Sequence, residues 1–226
     1  MLPQAGCLAS RFCYTARMTR RGCLLLIAAA AARAQSTASA PIEREEIVIP
    51  DFPASGYILD LGGGCRGTIG RLKGEQVVAI DISMRELNEA PPGFLKILMD
   101  ASDLKFPDKS FRTVTAFFSL MFMKPQIHQK VFAEAYRVLA PGGEWLIWDA
   151  SIPARSAEGD NTFLINLHTK LPKETIDYGY SVLRLDTQRD PAYYRALAEQ
   201  AGFQVANVEL PGPNRKAFFM RLHKPE

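Results

Sequence analysis

Apolar residues recur along the body of the chain with two periods, and the two take turns. "YILDL" at Tyr57 to Leu61 is a short apolar run bounded by glycines, the pattern of a buried strand. "QVVAID", "FLKILMD", "FRTVTAFF" and "EWLIWDA" repeat it downstream, and "FQVANVEL" and "KAFFMRL" read as two final strands. Helical signals lie between these runs. A short helix is expected from about Thr68 to Lys73, stopping at Gly74. Ser83-Met84-Arg85-Glu86 is a capping box that opens a second helix, and Pro91-Pro92-Gly93 ends it. Pro125 suits the first turn of a third, in which Ile127, Val131, Ala135 and Val138 share one face. Asp190-Pro191 pairs a cap with a first-turn proline for a fourth, ending near Gly202. Strands alternating with helices predict an α/β fold. We expect a Rossmann-like, doubly wound, mostly parallel seven-stranded sheet with helices on both faces, in one domain over 41–226. The rhythm breaks between Ser151 and Arg189, where mixed charges and aromatics without a basic run suggest a lid over a substrate.

Ligands of such sheets sit at the carboxyl ends of the strands. That edge carries "ILDLGGGCRGTIG", in which Gly62, Gly64 and Gly67 have the G-x-G-x-x-G spacing. Asp81 ends the second strand, placed to accept hydrogen bonds from both hydroxyls of a ribose. To this point a nicotinamide dinucleotide and S-adenosylmethionine fit equally. Asp60, two residues before the first glycine, separates them. A carboxylate there repels a pyrophosphate and favours an ammonium or a sulfonium. Asp100, followed by Ala101, can accept the exocyclic amine of adenine. Ile82 suits either the adenine face or the core, and Phe117 and Phe118 either the core or the pocket wall.

With "LAPGGEWLI" added, the chain resembles the class I S-adenosylmethionine-dependent methyltransferases of the small "type 11" kind. "ILDLGGG", "VVAIDIS", "MDASDLKFPDKSFRTVTAFFSL" and "EAYRVLAPGGEWLI" are similar to successive motifs of that family. The resemblance implies S-adenosylmethionine as cofactor, held by Asp60, Gly62, Gly63, Gly64, Asp81, Ile82, Asp100, Ala101, Phe117 and Phe118. It implies methyl transfer to a small or medium-sized acceptor. In one place the chain departs from the family: position 66, usually glycine, is Arg66. Two other readings stand beside this one. One is a catalytically inactive S-adenosylmethionine-binding module. The other is an NAD(P)-dependent oxidoreductase, which Asp60 and the lack of a Tyr-x-x-x-Lys pair in the expected place disfavour. The motifs name no catalytic base. His168 and Tyr180 in the insert are the catalytic candidates, with His128 a further candidate base, and Tyr178 and Tyr180 are placed to shape a substrate pocket. With three histidines and no clustered ligand spacing, no metal site is expected.

Charge and cysteine use change the picture only at the amino end. The net charge of +3 includes five arginines and no acid in the first 34 residues; without them, 22 basic residues face 24 acidic ones, a net of −2. Nothing there suggests a nucleic-acid partner. From Met18 the chain reads "MTRRGCLLLIAAAAARAQ": a basic start, an apolar run and an A-x-A site before Gln35. That is the order of a secretory signal peptide, followed by a small polar linker. The run is about ten residues, too short for a membrane span. The protein is exported if this leader acts as a signal and cytoplasmic otherwise. Three of the four cysteines lie in the leader; Cys65 lies in the glycine loop, where it fits the turn and where a helix N-terminus could lower its pKa. The oligomeric state is not legible.

Overall fold

A computed structural model describes residues 43–159 and 161–226. The leader and linker expected over 1–40 lie outside the described residues. The strands are β1 (Glu45–Val48), β2 (Ile58–Leu61), β3 (Val77–Asp81), β4 (Leu95–Leu98), β5 (Phe111–Phe117), β6 (Leu139–Ala150), β7 (Thr162–Lys170), β8 (Thr175–Leu183), β9 (Gln204–Glu209) and β10 (Ala217–His223). The helices are α1 (Thr68–Lys73), α2 (Met84–Glu89), α3 (Pro125–Val138) and α4 (Pro191–Ala201).

Seven strands form one sheet in the order β4-β3-β2-β5-β6-β10-β9. The pairs from β4 to β6 are parallel, and β10 runs antiparallel to both β6 and β9. From β2 the chain winds outward through β3 and β4, then crosses back to β5. β2 and β5 therefore flank the switch point, where an open parallel sheet leaves a crevice at its carboxyl edge. Side chains alternate across the sheet. Leu59, Leu61, Val78, Ile80, Val114 and Ala116 pack on one face against Val131, Phe132 and Ala135 of α3 and Tyr194 and Ala198 of α4. Ile58, Val77, Ala79 and Phe117 face the other way, toward Ile69 of α1. Ser83 caps α2 by accepting from the backbone N–H of Glu86, and Asp190 caps α4 by accepting from Tyr193. Both caps are the ones expected from sequence.

The region from Ser151 to Arg189 differs from an irregular lid. The Ile152 and Arg189 backbones exchange two hydrogen bonds and close its neck. Between them β7 and β8 form an antiparallel hairpin, and β1 joins β7 in parallel register, giving a three-stranded sheet in the order β1-β7-β8. The residues upstream of β2 thus contribute the third strand of this sheet. A lone hairpin leaves both outer edges unpaired, and β1 satisfies one of them. Phe163, Ile165 and Leu167 of β7 and Tyr178 of β8 are buried against Phe117, Phe118 and Trp148 of the large sheet. No helix among the described residues is long and apolar enough to cross a membrane.

Candidate functional site

The carboxyl edge of β2 runs straight into Gly62, Gly63 and Gly64. Each lacks a side chain where a different polar group comes close. A Cβ on Gly62 would overlap Ser119, one on Gly63 would lie 2.5 Å from Asp60 Oδ2, and one on Gly64 would lie 2.8 Å from Asp81 Oδ2. The loop is held from below. The N–H groups of Gly62 and Gly63 both donate to Ile80 O, at 2.9 and 3.0 Å, and Cys65 N donates to Glu86 O at 2.6 Å. Ser119 Oγ donates to Leu61 O at 2.6 Å, tying the end of β5 to the end of β2. Gly62 at φ 74° has the left-handed backbone that glycine tolerates best. Cys65 at φ 50° and Phe118 at φ 47° adopt it without that freedom, so backbone strain collects on both sides of the switch point.

Three carboxylates sit along this edge in different surroundings. Asp60 is almost fully buried and accepts from Thr115 Oγ1 at 2.7 Å. Burial pushes its pKa up to about 7; the Thr115 hydrogen bond opposes that, and the charge of Asp81 adds to it. Asp81 is only part-buried. It accepts from Ser83 N at 2.8 Å, and its pKa is also raised, first by burial, against the backbone N–H groups of Ser83, Gly64 and Ile82. Asp100 accepts from both the N–H and the hydroxyl of Ser102, each at 2.8 Å. Beside Asp81, the side chain of Ile82 is 74% exposed, an apolar surface open at the mouth of the site. Ala101 is buried in the core.

The insert brings aromatic rings to the same edge. Tyr180 stacks on Phe118 with ring centroids 6.0 Å apart and meets Phe122 edge-on at 5.6 Å. Tyr178 lies 5.3 Å from Tyr180 and 6.3 Å from Phe117. Its hydroxyl is 3.3 Å from Thr68 Oγ1 at the start of α1 and 3.3 Å from Thr169 Oγ1 on β7. Burial raises the Tyr178 pKa to about 12 and that of Tyr180 well above the usual phenol value, so both rings stay neutral. Of the residues singled out in the insert, Tyr178 and Tyr180 lie at this edge. His168 sits on the opposite face of the small sheet, with Nδ1 2.7 Å from Asp177 Oδ1. His128 is buried at the start of α3. Its Nε2 lies 3.1 Å from Leu120 O, which can only accept, so Nε2 donates and Nδ1 accepts from the Tyr193 hydroxyl at 2.9 Å. Burial lowers its pKa to about 4, which leaves the ring neutral. The Cys65 thiol moves opposite to the helix-terminus expectation: burial, then Glu86, raises its pKa to about 11. Cys65, Glu86 and Glu89 bring their ligand atoms within 4.8 Å of one another, a grouping that sequence spacing does not show.

Two buried charged groups that sequence reasoning missed stand beneath this edge. Asp149, at the end of β6, accepts from Met121 N at 3.2 Å, and burial raises its pKa to about 7. Arg189 donates through NH1 to Met121 O at 2.6 Å and through NH2 to Leu183 O at 3.1 Å. Together with His128 they hold the turn Leu120–Phe122, which follows the strained Phe118 and presents Phe122 to Tyr180. Asp149 is the next-to-last residue of the expected strand "EWLIWDA", so a carboxylate in an otherwise apolar strand end was a visible signal. Nothing local marks Arg189.

Comparison with known proteins meets this geometry. Residues 59–147 match a family described as a methyltransferase domain. The ubiquinone/menaquinone biosynthesis C-methyltransferase UbiE of Desulfotalea psychrophila is 34% identical over 114 residues, covering 46% of this chain and 45% of that protein. The protein of the same name from Neisseria meningitidis is 30% identical over 132 residues, covering 56% of this chain and 51% of its own length. The chain thus spans about half the length of the curated relatives it matches. An S-adenosylmethionine-dependent methyltransferase from Methanosarcina mazei shares the fold at TM-score 0.54 and 16% identity, over 77% of this chain and 94% of that one. The glycopeptide N-methyltransferase MtfA, solved with S-adenosylmethionine, shares it at TM-score 0.53 and 18% identity, over 77% and 89%. The residues that match by sequence are those that build the glycine loop, the strand-end carboxylates and the approach to β6, and over this stretch the chain is similar to the methyltransferase domain family.

Proposed function

We propose that this chain transfers a methyl group from S-adenosylmethionine to a small or medium-sized acceptor held between the carboxyl edge of the large sheet and the β7–β8 hairpin. The observation that carries the reading is the run Gly62–Gly64, whose missing side chains let Asp60 and Asp81 approach one loop. The residues fit the cofactor. Asp81, part-buried at the end of β3, suits a ribose; the exposed Ile82 and Asp100 suit an adenine; Asp60 suits an ammonium. A pyrophosphate would meet the same carboxylates unfavourably.

When bound, S-adenosylmethionine supplies an electrophilic methyl group on a sulfonium whose departure needs no acid. The chain's task is then alignment and exclusion of water. Phe118, Phe122, Tyr178 and Tyr180 form an apolar wall for that purpose. The wall favours a planar, largely apolar acceptor, and the curated relatives, named as C-methyltransferases of quinone biosynthesis, support a carbon nucleophile. In this reading Tyr180 contacts the acceptor, and its neutral ring packs against it without acting as a base.

Calorimetry tests the cofactor assignment: S-adenosylhomocysteine is expected to bind and NAD is not. Binding of NAD without any response to the sulfur ligand would overturn the reading. A pH series tests Asp60. With a pKa of about 7 in the free protein, Asp60 is ionised at pH 8 and mostly protonated at pH 6. Only the ionised form attracts an ammonium, so affinity for S-adenosylhomocysteine should fall about tenfold between pH 8 and pH 6. Asp60→Asn should flatten this dependence; a flat profile in the unaltered protein removes Asp60 from the binding step.

A further inference from the structure

Position 66, where the family's spacing has glycine, carries the side chain that completes the cofactor site. We propose that the Arg66 guanidinium binds the carboxylate of the cofactor's methionine tail while Asp60 faces its ammonium, an assignment that rests on the cofactor reading above. The tail is a zwitterion, and a loop that offers one charge of each sign fixes its direction. Asp60 lies at the head of the loop and Arg66 at its foot, with the backbone of Gly62 to Gly64 between them. The foot is fixed in place. Cys65 and Gly67 both take left-handed backbone, at φ 50° and 54°, so the chain turns sharply on either side of Arg66. Arg66 O accepts from Arg71 Nε at 2.9 Å, which ties the turn to the first helix behind it.

The side chain is placed as well. Its Cζ lies 5.8 Å from the centre of the Tyr178 ring, and its charge acts on Cys65, Tyr178 and Tyr180, all at the carboxyl edge. Tyr178 is itself held at its hydroxyl by Thr68 and Thr169, so the ring is a fixed platform. A planar fork on an aromatic ring beside the loop suits a carboxylate in a way that a lysine ammonium does not. The same arrangement explains how the loop tolerates a long side chain where glycine is usual: the β7–β8 hairpin supplies a surface for it.

The test compares two ligands by calorimetry. S-Adenosylhomocysteine carries the amino-acid tail; 5′-methylthioadenosine has the same nucleoside thioether without it. Arg66→Gln should weaken S-adenosylhomocysteine about tenfold or more, the scale of a charged hydrogen-bonded contact, and leave 5′-methylthioadenosine within about twofold. Arg66→Lys should fall between. Arg66→Gly, which restores the family's residue, should weaken S-adenosylhomocysteine as much as glutamine does. Unchanged or improved affinity in Arg66→Gly, or an equal loss for both ligands in Arg66→Gln with an unaltered melting temperature, would overturn the assignment while leaving the cofactor reading intact. Failure of the unaltered protein to bind either ligand would remove the reading and the assignment together.

Discussion

Replacing Arg189 with alanine is expected to lower the unfolding free energy by about 3–5 kcal/mol, the cost of removing one member of a buried charged group. Arg189 is 1% exposed and donates to two backbone carbonyls, Met121 O and Leu183 O. Truncation leaves both without that donor, opens a cavity, and removes the cation that partly offsets the burial of Asp149. The loss should depend on pH, and its sign follows from Asp149. The folded pKa of Asp149, about 7, lies above its unfolded value, so its stabilising contribution is complete below about pH 4 and is lost as pH rises through 7. Without Arg189 that folded pKa rises further, so the cost of the substitution should be greater at pH 8 than at pH 5. Denaturant titrations at the two pH values check this. Arg155, paired with Asp186 at 2.6 Å but exposed, gives the contrast: Arg155→Ala should cost less than about 1 kcal/mol. If the two substitutions cost the same, the Arg189 interactions do not stabilise the fold.

Asp81→Ala should weaken S-adenosylhomocysteine binding by about 1.5–3 kcal/mol, or roughly 10- to 150-fold in dissociation constant. Asp81 is the strand-end carboxylate in a position to meet ribose hydroxyls while part-exposed to an incoming ligand. It also accepts from Ser83 N and takes a hydrogen bond from the Gly64 backbone, so the substitution loosens the loop as well as removing an acceptor. Asp81→Asn separates the two effects, since an amide oxygen can still accept from Ser83. The asparagine variant should keep the melting temperature of the parent and still bind weakly. A folded alanine variant with an unchanged dissociation constant would exclude Asp81 from the site.

The α/β core was legible because its signals are local. A buried parallel strand is a short apolar run, and Ser83, Asp190, Pro125 and Pro191 mark helix starts by their own chemistry. The glycine loop and Asp81 were legible for the same reason, since spacing alone puts them at strand ends. The small sheet was not. "TFLINLHTK" and "TIDYGYSVL" do alternate, but their outer faces carry His168, Lys170 and Asp177, and mixed charge reads as a loop. β1 is four residues long and its partner on β7 lies more than a hundred residues away, so no local pattern announces it. The surroundings of Asp60, Asp149 and Arg189 depend on which strands become neighbours. The elevated carboxylate pKa values and the buried guanidinium are therefore properties of the assembled fold.

The parallel pairing of β1 with β7 also sets the order in which the molecule can be finished on the ribosome. Glu45 pairs opposite Leu167, so 122 residues must be synthesised between one partner and the other. At about 5–20 residues per second, β1 waits roughly 6–24 s for its partner, and a strand waiting that long is a target for chaperones and for the wrong neighbours. The Glu45 carboxylate, 1% exposed once folded, keeps that waiting strand charged and hydrated until the segment carrying Gly212 and Lys216, made later still, arrives to bury it.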